Sequence, residues 1–535
     1  MRRPTTGLAG LLFFLSLAAG LGCRRLPPPP TAAADLPPRL TVVVVVDQMR
    51  GDELDTYAAL WRGGLGRLRQ EGQIWRRAEH GHARSETAAG HATIATGVLP
   101  RVHGVVNKSM YTRERGRVTD MCDWGSGPCA PVALAVPSLS DRHRARWPAA
   151  KIVALSQKPR AASLMGGQQA DLVAWHAPAA MALEGWQGGQ PGLPDWLQIF
   201  FGQAVRRDTM ARIWELPRLP EPFASRPDRA AGELDCGHGL VFPHQLSAVA
   251  QGAALMAQWA CTPDSDRAVA ETALTVARQL GLGQGTAPDL LWLSFAAVDV
   301  VGHHYGIESL ERPAVLTELD LQLGDLMDGL QALVGPRLLL VLTADHGVAP
   351  KVAAARAAGE DSGWVDPAGL VAAVEAALTP MFGPGPHVAA LDFPFLSLTD
   401  AAGSRRPAAV RAAAAVLGRQ AHVHRAWVTA ELAVATTHEP LARLMQASLY
   451  PGRSGDVALV LQPFYSPGSG ASALGGANHG SPWSYDRHVP LMLWGDRVSP
   501  GSSDAEVGVI DLMRTVADRL LLPVDPRGGQ PLPRP

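Results

Sequence analysis

Three uninterrupted apolar runs, each ending in polar residues, dominate the hydrophobic pattern of this chain. They cover residues 40–46, 289–298 and 338–342. A continuous apolar run, rather than an alternating one, is typical of a strand that is buried on both faces of a parallel sheet. Helical periodicity lies between these runs, for example over residues 268–280 and 316–333. The pattern therefore predicts an α/β fold with a mostly parallel central sheet and helices on both faces.

Length and composition agree with a large folded domain. The chain has 535 residues, of which 47% are hydrophobic, so it can bury a large core without disulfide or metal support. It carries 48 Lys and Arg against 49 Asp and Glu, a formal net charge of -1. This balance excludes a general nucleic-acid binder, and any anion must be held by a local site.

The N-terminus has the features of an export signal. Arg2 and Arg3 precede an uncharged, mostly apolar run over residues 8–22, whereas a membrane span needs about 20 apolar residues. We therefore expect residues 1–22 to be a signal peptide. The small residues before Cys23 resemble a bacterial lipoprotein cleavage site, which predicts lipid attachment there; simple secretion is the alternative.

The region after Cys23 predicts a spacer between anchor and fold. Residues 23–39 are rich in proline and favour a stiff, extended linker, so the folded domain is expected over residues 40–535. We expect an exported protein, either a periplasmic or outer-membrane lipoprotein or a freely secreted one. We also expect it to be a monomer.

The other four cysteines form two pairs that are local in sequence. We predict disulfides between Cys122 and Cys129 and between Cys236 and Cys261, as an oxidising compartment allows. Free buried thiols are the alternative, because sequence alone does not determine connectivity. Neither pair has the close spacing of a thiolate zinc site.

Carboxylates and imidazoles follow the predicted strands, where ligands bind in parallel sheets. A single Asp after a strand is more often a cap or turn residue, but here three strands end this way. Three carboxylates and three imidazoles are the ligand set for two divalent cations about 4 Å apart, and imidazole favours zinc. The candidate ligands are Asp47, Asp299, His303, Asp345, His346 and His479.

Thr87 is the candidate nucleophile. It is followed by small residues that permit a tight turn, and a helix starting near Gly90 would turn its N-terminal amides towards an anion. The alternative is that Thr87 is only a helix N-cap.

Six segments in this order resemble the alkaline phosphatase superfamily, in its phosphodiesterase/nucleotide pyrophosphatase-type branch. The resemblance extends over residues 40–495 and implies an alkaline-phosphatase-like sheet with cap insertions near residues 161–262 and 359–470. The segments that carry it are residues 46–50, 87–97, 100–104, 299–306, 343–347 and 479–490.

A seventh segment indicates which group of enzymes within this branch the chain resembles. Ser156-Gln157-Lys158-Pro159-Arg160 resembles the Ser-x-Lys-x-Arg segment of the phosphate-irrepressible, zinc-dependent alkaline phosphatases. The resemblance implies that Lys158 and Arg160 contact phosphate oxygens and favour monoesters, since a monoester dianion carries one more charge than a diester. Two solvated surface cations are the alternative.

The resemblance also implies a role for each candidate residue. Thr87 is the expected nucleophile, and Lys158, Arg160 and Asn107 are expected to compensate charge on the phosphoryl group. Asn107 lies one residue closer to the nucleophile than the family pattern has it. Two zinc ions are implied, one held by Asp299, His303 and His479, the other by Asp47, Asp345 and His346 with Thr87.

Four further histidines are not assigned as ligands. His91 and His103 are expected to hold loops by hydrogen bonds, His304 to point elsewhere, and His488 to support a ligand. The expected function is a two-zinc phosphomonoesterase acting on small phosphate monoesters. A phosphodiesterase or nucleotide pyrophosphatase of the same fold is the alternative, and a non-catalytic surface lipoprotein is the second.

Overall fold

A computed structural model describes residues 36–125, 129–131, 133–211, 213–468 and 476–535. The predicted signal peptide, Cys23 and residues 23–35 of the predicted linker lie outside these residues. From Pro37 to Pro535 the chain forms one compact unit. In the described part of the chain no helix has the length and apolar character needed to cross a membrane.

The strands are named in chain order. In the first half they are β1 (Leu40–Val46), β2 (Gln73–Glu79), β3 (Ser109–Thr112), β4 (Arg117–Asp120), β5 (Ile152–Ser156), β6 (Leu172–His176), β7 (Leu183–Gln187), β8 (Gln190–Pro191), β9 (Ile213–Trp214) and β10 (His244–Gln245). In the second half they are β11 (Asp289–Phe295), β12 (Leu338–Thr343), β13 (Gly363–Val365), β14 (Val388–Asp392), β15 (Phe395–Leu398), β16 (Val423–Val428), β17 (Val457–Leu461), β18 (Tyr465–Pro467), β19 (His488–Val489), β20 (Leu491–Gly495) and β21 (Gly501–Gly508).

The helices are named in the same way. The first nine are α1 (Glu53–Thr56), α2 (Gly64–Glu71), α3 (Thr87–Thr96), α4 (Pro100–His103), α5 (Leu139–Arg146), α6 (Pro159–Gly166), α7 (Asp195–Ala211), α8 (Gly252–Ala260) and α9 (Asp264–Leu280). The others are α10 (Ala297–Tyr305), α11 (Glu311–Val334), α12 (Val352–Ala357), α13 (Pro367–Phe382), α14 (Arg406–Leu417), α15 (Thr429–Val434), α16 (Pro440–Ser448), α17 (Ser484–Arg487) and α18 (Val509–Arg519).

The largest sheet has eleven strands within the described residues, in the order β19-β2-β20-β12-β1-β11-β5-β6-β7-β8, with β21 also paired to β2. Its central strands β12, β1, β11, β5 and β6 are all parallel to their neighbours in this set. Every residue of β1, β11 and β12 is buried, as continuous apolar runs require. The predicted α/β fold with a mostly parallel central sheet is confirmed.

One strand boundary differs from the prediction. The apolar run over residues 289–298 was expected to be a single strand, but β11 ends at Phe295 and α10 begins at Ala297. The Asp266 carboxylate accepts hydrogen bonds from the backbone N–H groups of Ala296, at 2.8 Å, and Ala297, at 3.2 Å. A side chain distant in sequence therefore starts the helix, so Asp299 lies in its first turn.

The two segments expected to be insertions differ in character. Within residues 161–262, the strands β6, β7 and β8 extend the main sheet, so this segment is only in part an addition to it. Within residues 359–470, β14, β15, β17 and β16 form a separate four-stranded sheet. Helices α13 and α14 pack on that sheet around their own hydrophobic core.

Both predicted disulfides are present. Cys122 is bonded to Cys129, and Cys236 is bonded to Cys261. The alternative of free buried thiols is therefore wrong for all four cysteines.

Candidate active site

Neighbouring strands bring the candidate residues to one edge of the main sheet. Asp47 follows β1, Asp345 follows β12, Asp299 lies in α10 after β11, and Lys158 follows β5. These strands are adjacent in the order β12-β1-β11-β5, and parallel strands end at a common edge. Residues far apart in sequence thus meet because consecutive strands deliver them side by side.

The three imidazoles are fixed by the same kind of contact. Nδ1 of His346 donates to the Gly347 carbonyl at 2.8 Å. Nδ1 of His303 donates to the Ala477 carbonyl at 2.9 Å. A carbonyl can only accept, so each Nδ1 carries a proton, and in the neutral ring Nε2 keeps its lone pair. Nδ1 of His479 likewise lies 3.1 Å from the carbonyl of Ser85.

The Nε2 atoms face the carboxylates. His303 Nε2 lies 3.2 Å from Asp299 Oδ1, as expected for residues four apart on one helix. His346 Nε2 lies 3.3 Å from Asp47 Oδ1 and 3.4 Å from Asp345 Oδ2. Asp47 Oδ1 is buried and has no hydrogen-bond partner among the described residues, and Asp345 Oδ2 is buried with His91 Nδ1 3.1 Å away.

Two overlapping groups of side chains can hold metal ions. Within each group, one possible ligand atom per residue lies within 4.8 Å of the others. The donor set of carboxylates with imidazole Nε2 atoms suits zinc. The buried Oδ1 of Asp47, which has no hydrogen-bond partner among the described residues, also fits a cation, because an ion would satisfy it. The groups are Asp47, Asp345 and His346, and Asp299, His346 and His479.

The charged groups of this cluster shift one another's pKa values. Burial, together with the charges of Asp299 and Asp345, raises the pKa of Asp47 above its ordinary value. Burial opposes the ionisation of Asp299 as well, but the charges of His303 and Lys158 outweigh it and hold its pKa well below the usual range. Three carboxylates so close together repel one another, and the positive charges of Lys158 and the neighbouring imidazoles relieve part of that repulsion.

Thr87 is the first residue of α3, and its hydroxyl faces the cluster. Thr87 Oγ1 lies 3.5 Å from His346 Nε2. The N-cap is Glu86, whose carboxylate accepts a hydrogen bond from the backbone of Ala89 at 3.0 Å. The alternative role of Thr87 as N-cap is therefore wrong, and its side chain is available for chemistry.

Lys158 lies at the centre of the cluster. Its Nζ donates to Asp47 Oδ2 at 2.6 Å and to Asp299 Oδ2 at 2.5 Å. Arg160 lies nearer the surface, and its Nη2 donates to Asp120 Oδ2 at 3.2 Å. Both residues belong to the start of α6, as a turn after β5 requires.

Asn107 is held by three contacts. Its Nδ2 donates to the Phe393 carbonyl at 3.0 Å, and its Oδ1 accepts from Arg84 Nε at 3.2 Å and from the Lys108 backbone at 3.0 Å. Arg84 Nη1 also donates to the Gly480 carbonyl, beside His479, at 3.1 Å. Arg84 thus joins Asn107 to the loop that carries His479. Sequence reasoning missed Arg84.

Gln48 and His91 also orient the metal ligands. The sequence analysis assigned no role to Gln48 and only a loop-holding role to His91. Gln48 donates from Nε2 to Asp299 Oδ1 at 2.7 Å and from its backbone N–H to Asp345 Oδ1 at 3.2 Å. Its φ is 68°, in the left-handed region that non-glycine residues rarely adopt. His91 Nδ1 lies 2.9 Å from the Thr87 carbonyl and 3.1 Å from Asp345 Oδ2.

The remaining histidines divide into two kinds. His103 Nδ1 accepts from the Val105 backbone at 3.1 Å and so holds local backbone as expected. His304, which was expected to point elsewhere, donates from Nδ1 to the Val300 carbonyl of its own helix at 2.9 Å. The expectation that His488 supports a metal ligand is wrong. Its Nε2 donates to the Arg76 carbonyl at 2.7 Å, because β19 pairs with β2.

A second buried charged cluster lies near the ligand loops. Lys351 Nζ is 3.8 Å from Glu233 Oε1, and both side chains are 1% exposed. Burial raises the pKa of Glu233 to about 7. Burial lowers the pKa of Lys351, and the charges of Glu233, Glu308 and Glu311 oppose that effect. This cluster has no signature in the sequence.

The family to which the chain belongs agrees with this fold and this site. Residues 41–481 match the family described as Type I phosphodiesterase / nucleotide pyrophosphatase. The chain belongs to that family, as the resemblance implied.

Relatives named alkaline phosphatases resemble the chain along nearly all of its length. PhoK of Sphingomonas is 29% identical over 515 residues, covering 91% of this chain and 89% of that protein. PhoD of Zymomonas mobilis is 29% identical over 514 residues, covering 91% and 86%. A crystal structure of alkaline phosphatase PafA, a name carried by a relative from Elizabethkingia meningoseptica, has a TM-score of 0.84 at 23% identity and covers 93% of this chain and 98% of its own.

Proposed function

We propose that this protein is an alkaline phosphatase that hydrolyses phosphate monoesters through a phosphothreonine at Thr87. The observation that carries the proposal is the position of Thr87 Oγ1, 3.5 Å from His346 Nε2, beside a cluster of carboxylates and imidazoles. The relatives named alkaline phosphatases, 29% identical over 91% of this chain, support it.

The chain supplies both the nucleophile and the positive charge. Thr87 begins α3, so the positive end of the helix dipole attracts the phosphoryl group. Its Oγ1 forms a bond to phosphorus and gives its proton to water, while the ester P–O bond breaks and the departing alkoxide takes a proton from water to leave as the alcohol. A water molecule then attacks phosphorus, restores the Thr87 hydroxyl and releases phosphate. Lys158 and Arg160 balance the dianion.

The proposal includes two zinc ions. The buried Oδ1 of Asp47, which lacks a hydrogen-bond partner among the described residues, supports it, together with the imidazoles whose Nδ1 atoms are held by carbonyls. When bound, zinc lowers the pKa of a hydroxyl and stabilises negative charge on oxygen. As the family resemblance implies, one ion would be held by Asp299, His303 and His479, and the other by Asp47, Asp345 and His346. His303 is included because its Nε2 lies 3.2 Å from Asp299 Oδ1, although the group of closely spaced ligand atoms around Asp299 contains His346 in its place.

We further propose that the protein is exported and anchored through a lipid on Cys23. The apolar run over residues 8–22 supports this proposal, and so do two disulfides, which are typical of oxidising compartments. Mass spectrometry of the mature N-terminus would detect the lipid. We expect Cys23→Ser to move the enzyme from the membrane fraction to the soluble fraction. An unmodified N-terminus would instead indicate that the protein is secreted without a lipid anchor.

Paired assays on a monoester and a diester test the proposed reaction. We expect the wild-type enzyme to prefer the monoester, and we expect the double variant Lys158→Ala/Arg160→Ala to lose more activity on the monoester than on the diester. Each charge-assisted contact is worth about 1.5–3 kcal/mol, so the loss on monoesters should reach two orders of magnitude or more. Arg117→Ala, which removes an exposed cation, serves as the control.

The other outcomes separate the alternatives. A wild-type preference for the diester would make the protein a phosphodiesterase. Absence of hydrolysis of either ester by the metal-loaded protein would leave only a binding role. Equal losses on both esters would show that the two cations support the fold or contacts common to both substrates.

A further inference from the structure

Asn107, the amide expected to face the phosphoryl group, is enclosed by protein. The residue is only 1% exposed. The Phe393 carbonyl can only accept a hydrogen bond, so it fixes the position of Nδ2. Oδ1 is occupied in turn by the N–H groups of Arg84 and Lys108. These contacts leave little of the amide for a substrate, and they turn its oxygen towards the Arg84 guanidinium.

The Arg84 guanidinium is held at two of its nitrogen atoms. Nε donates to Asn107 Oδ1 at 3.2 Å, and Nη1 donates to the Gly480 carbonyl at 3.1 Å. A Cβ at Gly480 would lie 2.2 Å from Nη1, so the guanidinium lies directly against the backbone of this loop. Because the guanidinium is planar, two contacts on different nitrogen atoms fix its orientation.

Arg84 lies between the proposed nucleophile and a candidate metal ligand. It precedes Thr87 by three residues in the segment that leads into α3. In the same segment, the Ser85 carbonyl lies 3.1 Å from Nδ1 of His479. Arg84 and His479 also line one cavity, which has a volume of about 40 Å³. The guanidinium therefore borders the open space beside His479.

The charge of Arg84 has no anion in contact with it. Lys158 and Arg160 form ion pairs with aspartates, whereas Arg84 donates to two neutral oxygens and forms no ion pair in the described part of the chain. Burial raises the pKa of Asp392, and the charge of Arg84 opposes that effect, but Asp392 Oδ2 accepts from Ser109 Oγ at 3.0 Å. A half-buried cation without an ion pair attracts an anion.

Arg84 also keeps donors that a substrate can reach. A guanidinium has five N–H groups, and the contacts with Asn107 and Gly480 use two of them. Nη2 makes no hydrogen bond within the described residues and, unlike Nε of Arg160, is not a buried atom. Arg84 can therefore donate to an oxygen that enters from solvent, whereas the amide of Asn107 is enclosed.

We propose that Arg84 is a catalytic residue that contacts a nonbridging oxygen of the phosphoryl group, and that Asn107 positions it. The inference rests on the proposed phosphomonoesterase function and adds a third cation to Lys158 and Arg160. The observation that carries it is a half-buried guanidinium, held at two nitrogen atoms and without an ion pair among the described residues, beside the loop of His479. The phosphoryl group supplies the anion.

A double-mutant cycle tests the two roles. We expect Arg84→Met to lower kcat/KM for a phosphate monoester about tenfold or more, as loss of a charge-assisted contact does. Asn107→Ala should cost less, because the residue that touches the substrate matters more than the one that positions it. The double variant should lose no more than Arg84→Met alone.

A matched substitution measures the general cost of removing an arginine. Arg519 is also half-buried and donates to two backbone carbonyls, but it lies beside the amino end of β12, whereas the candidate site lies at the carboxyl ends of the strands. We expect Arg519→Met to keep the wild-type kcat/KM. Arg84→Lys, which keeps a charge without the planar group of donors, should lose less than Arg84→Met.

A second measurement does not depend on turnover. Calorimetric titration of the metal-loaded proteins with inorganic phosphate should show weaker binding to Arg84→Met than to the wild-type protein, and unchanged binding to Arg519→Met. Metal analysis of the same samples should show equal metal content.

The other outcomes overturn the inference or the proposed function separately. A loss in Asn107→Ala as large as that in Arg84→Met would make the amide the phosphate contact. Multiplied losses in the double variant would show that the two residues act independently. Loss of metal from Arg84→Met would show that Arg84 only supports the loop of His479. Failure of the wild-type protein to hydrolyse the monoester, with phosphate binding as expected, would overturn the proposed function alone.

Discussion

At the scale of single residues, Thr87 is the position on which the proposed chemistry depends most directly. Thr87→Ala removes the only hydroxyl proposed to attack phosphorus and leaves the metal ligands in place. We expect kcat to fall by several orders of magnitude, as loss of a nucleophile generally causes. Thr87→Ser, which restores a hydroxyl, should recover much of the activity. Steady-state kinetics at equal metal content checks both variants, and unchanged kinetics of Thr87→Ala would refute the assignment.

Lys351 gives a prediction about stability rather than catalysis. Its Nζ and the Glu233 carboxylate are buried 3.8 Å apart. Lys351→Met leaves Glu233 without its cation, and breaking a buried pair in this way costs about 3–5 kcal/mol. We therefore expect a clear loss of stability in urea unfolding. The double variant Lys351→Met/Glu233→Gln removes both charges and should recover most of the loss; an equally unstable double variant would show that packing is the cause.

The site residues that the sequence predicts are those that belong to a local sequence pattern. Asp47 directly follows an apolar run, and His303 lies four residues after Asp299 on one helix. Gln48, in contrast, orients two carboxylates through contacts with residues about 250 and 300 positions away. Lys351 meets Glu233 in the same non-local way. No local pattern contains such contacts, so only the folded chain reveals them.

At the scale of elements, the site requires close packing of α3 on the loop that carries Asp345. A Cβ at Gly90 would approach the Asp345 carbonyl oxygen to 2.2 Å. We expect Gly90→Ala to push α3 away from that loop and so to disturb Thr87 and Asp345 together. The expected result is a loss of activity of at least tenfold and weaker retention of metal, measured by kinetics and metal analysis.

A matched substitution separates this effect from the general effect of removing a glycine. Gly285 lies in an exposed loop, and a Cβ there would meet nothing within 4 Å. We expect Gly285→Ala to keep wild-type activity and metal content. If Gly90→Ala behaved in the same way, the close contact of α3 with Asp345 would not matter for the site.

Element boundaries show where sequence patterns reach their limit. The run over residues 40–46 is a strand with those bounds because nothing interrupts it. The run over residues 289–298 has the same apolar character, yet it divides into β11 and α10 because the Asp266 carboxylate caps the backbone at Ala296. Apolar residues lie on both sides of that division, so the apolar pattern alone does not locate it, whereas the contact with Asp266 does.

At the scale of the whole molecule, the site depends on elements separated by more than 400 residues of chain. Asp47 comes from the first strand, and His479 follows the four-stranded sheet near the end of the domain. The first half of the chain contains no complete ligand group, since the group of Asp47 also needs Asp345 and His346 from the second half. Metal binding and the stability of the whole domain are therefore coupled.

Metal removal should consequently affect both activity and global stability. The side chains of Asp47, Asp299 and Asp345 are almost fully buried. Without metal ions, Lys158 balances part of their mutual repulsion, and the rest opposes folding. We expect exhaustive chelation to abolish hydrolysis and to lower the thermal transition of the whole domain, and we expect zinc to restore both, since a ligand that binds only the folded state stabilises it. Calorimetry and metal analysis on the same samples compare the transition temperature and the metal content before chelation, after chelation and after zinc is added back. Full activity with no detectable metal would refute a metal-dependent site. Loss of activity at an unchanged transition temperature would refute the coupling, because the carboxylates would then tolerate one another without a cation.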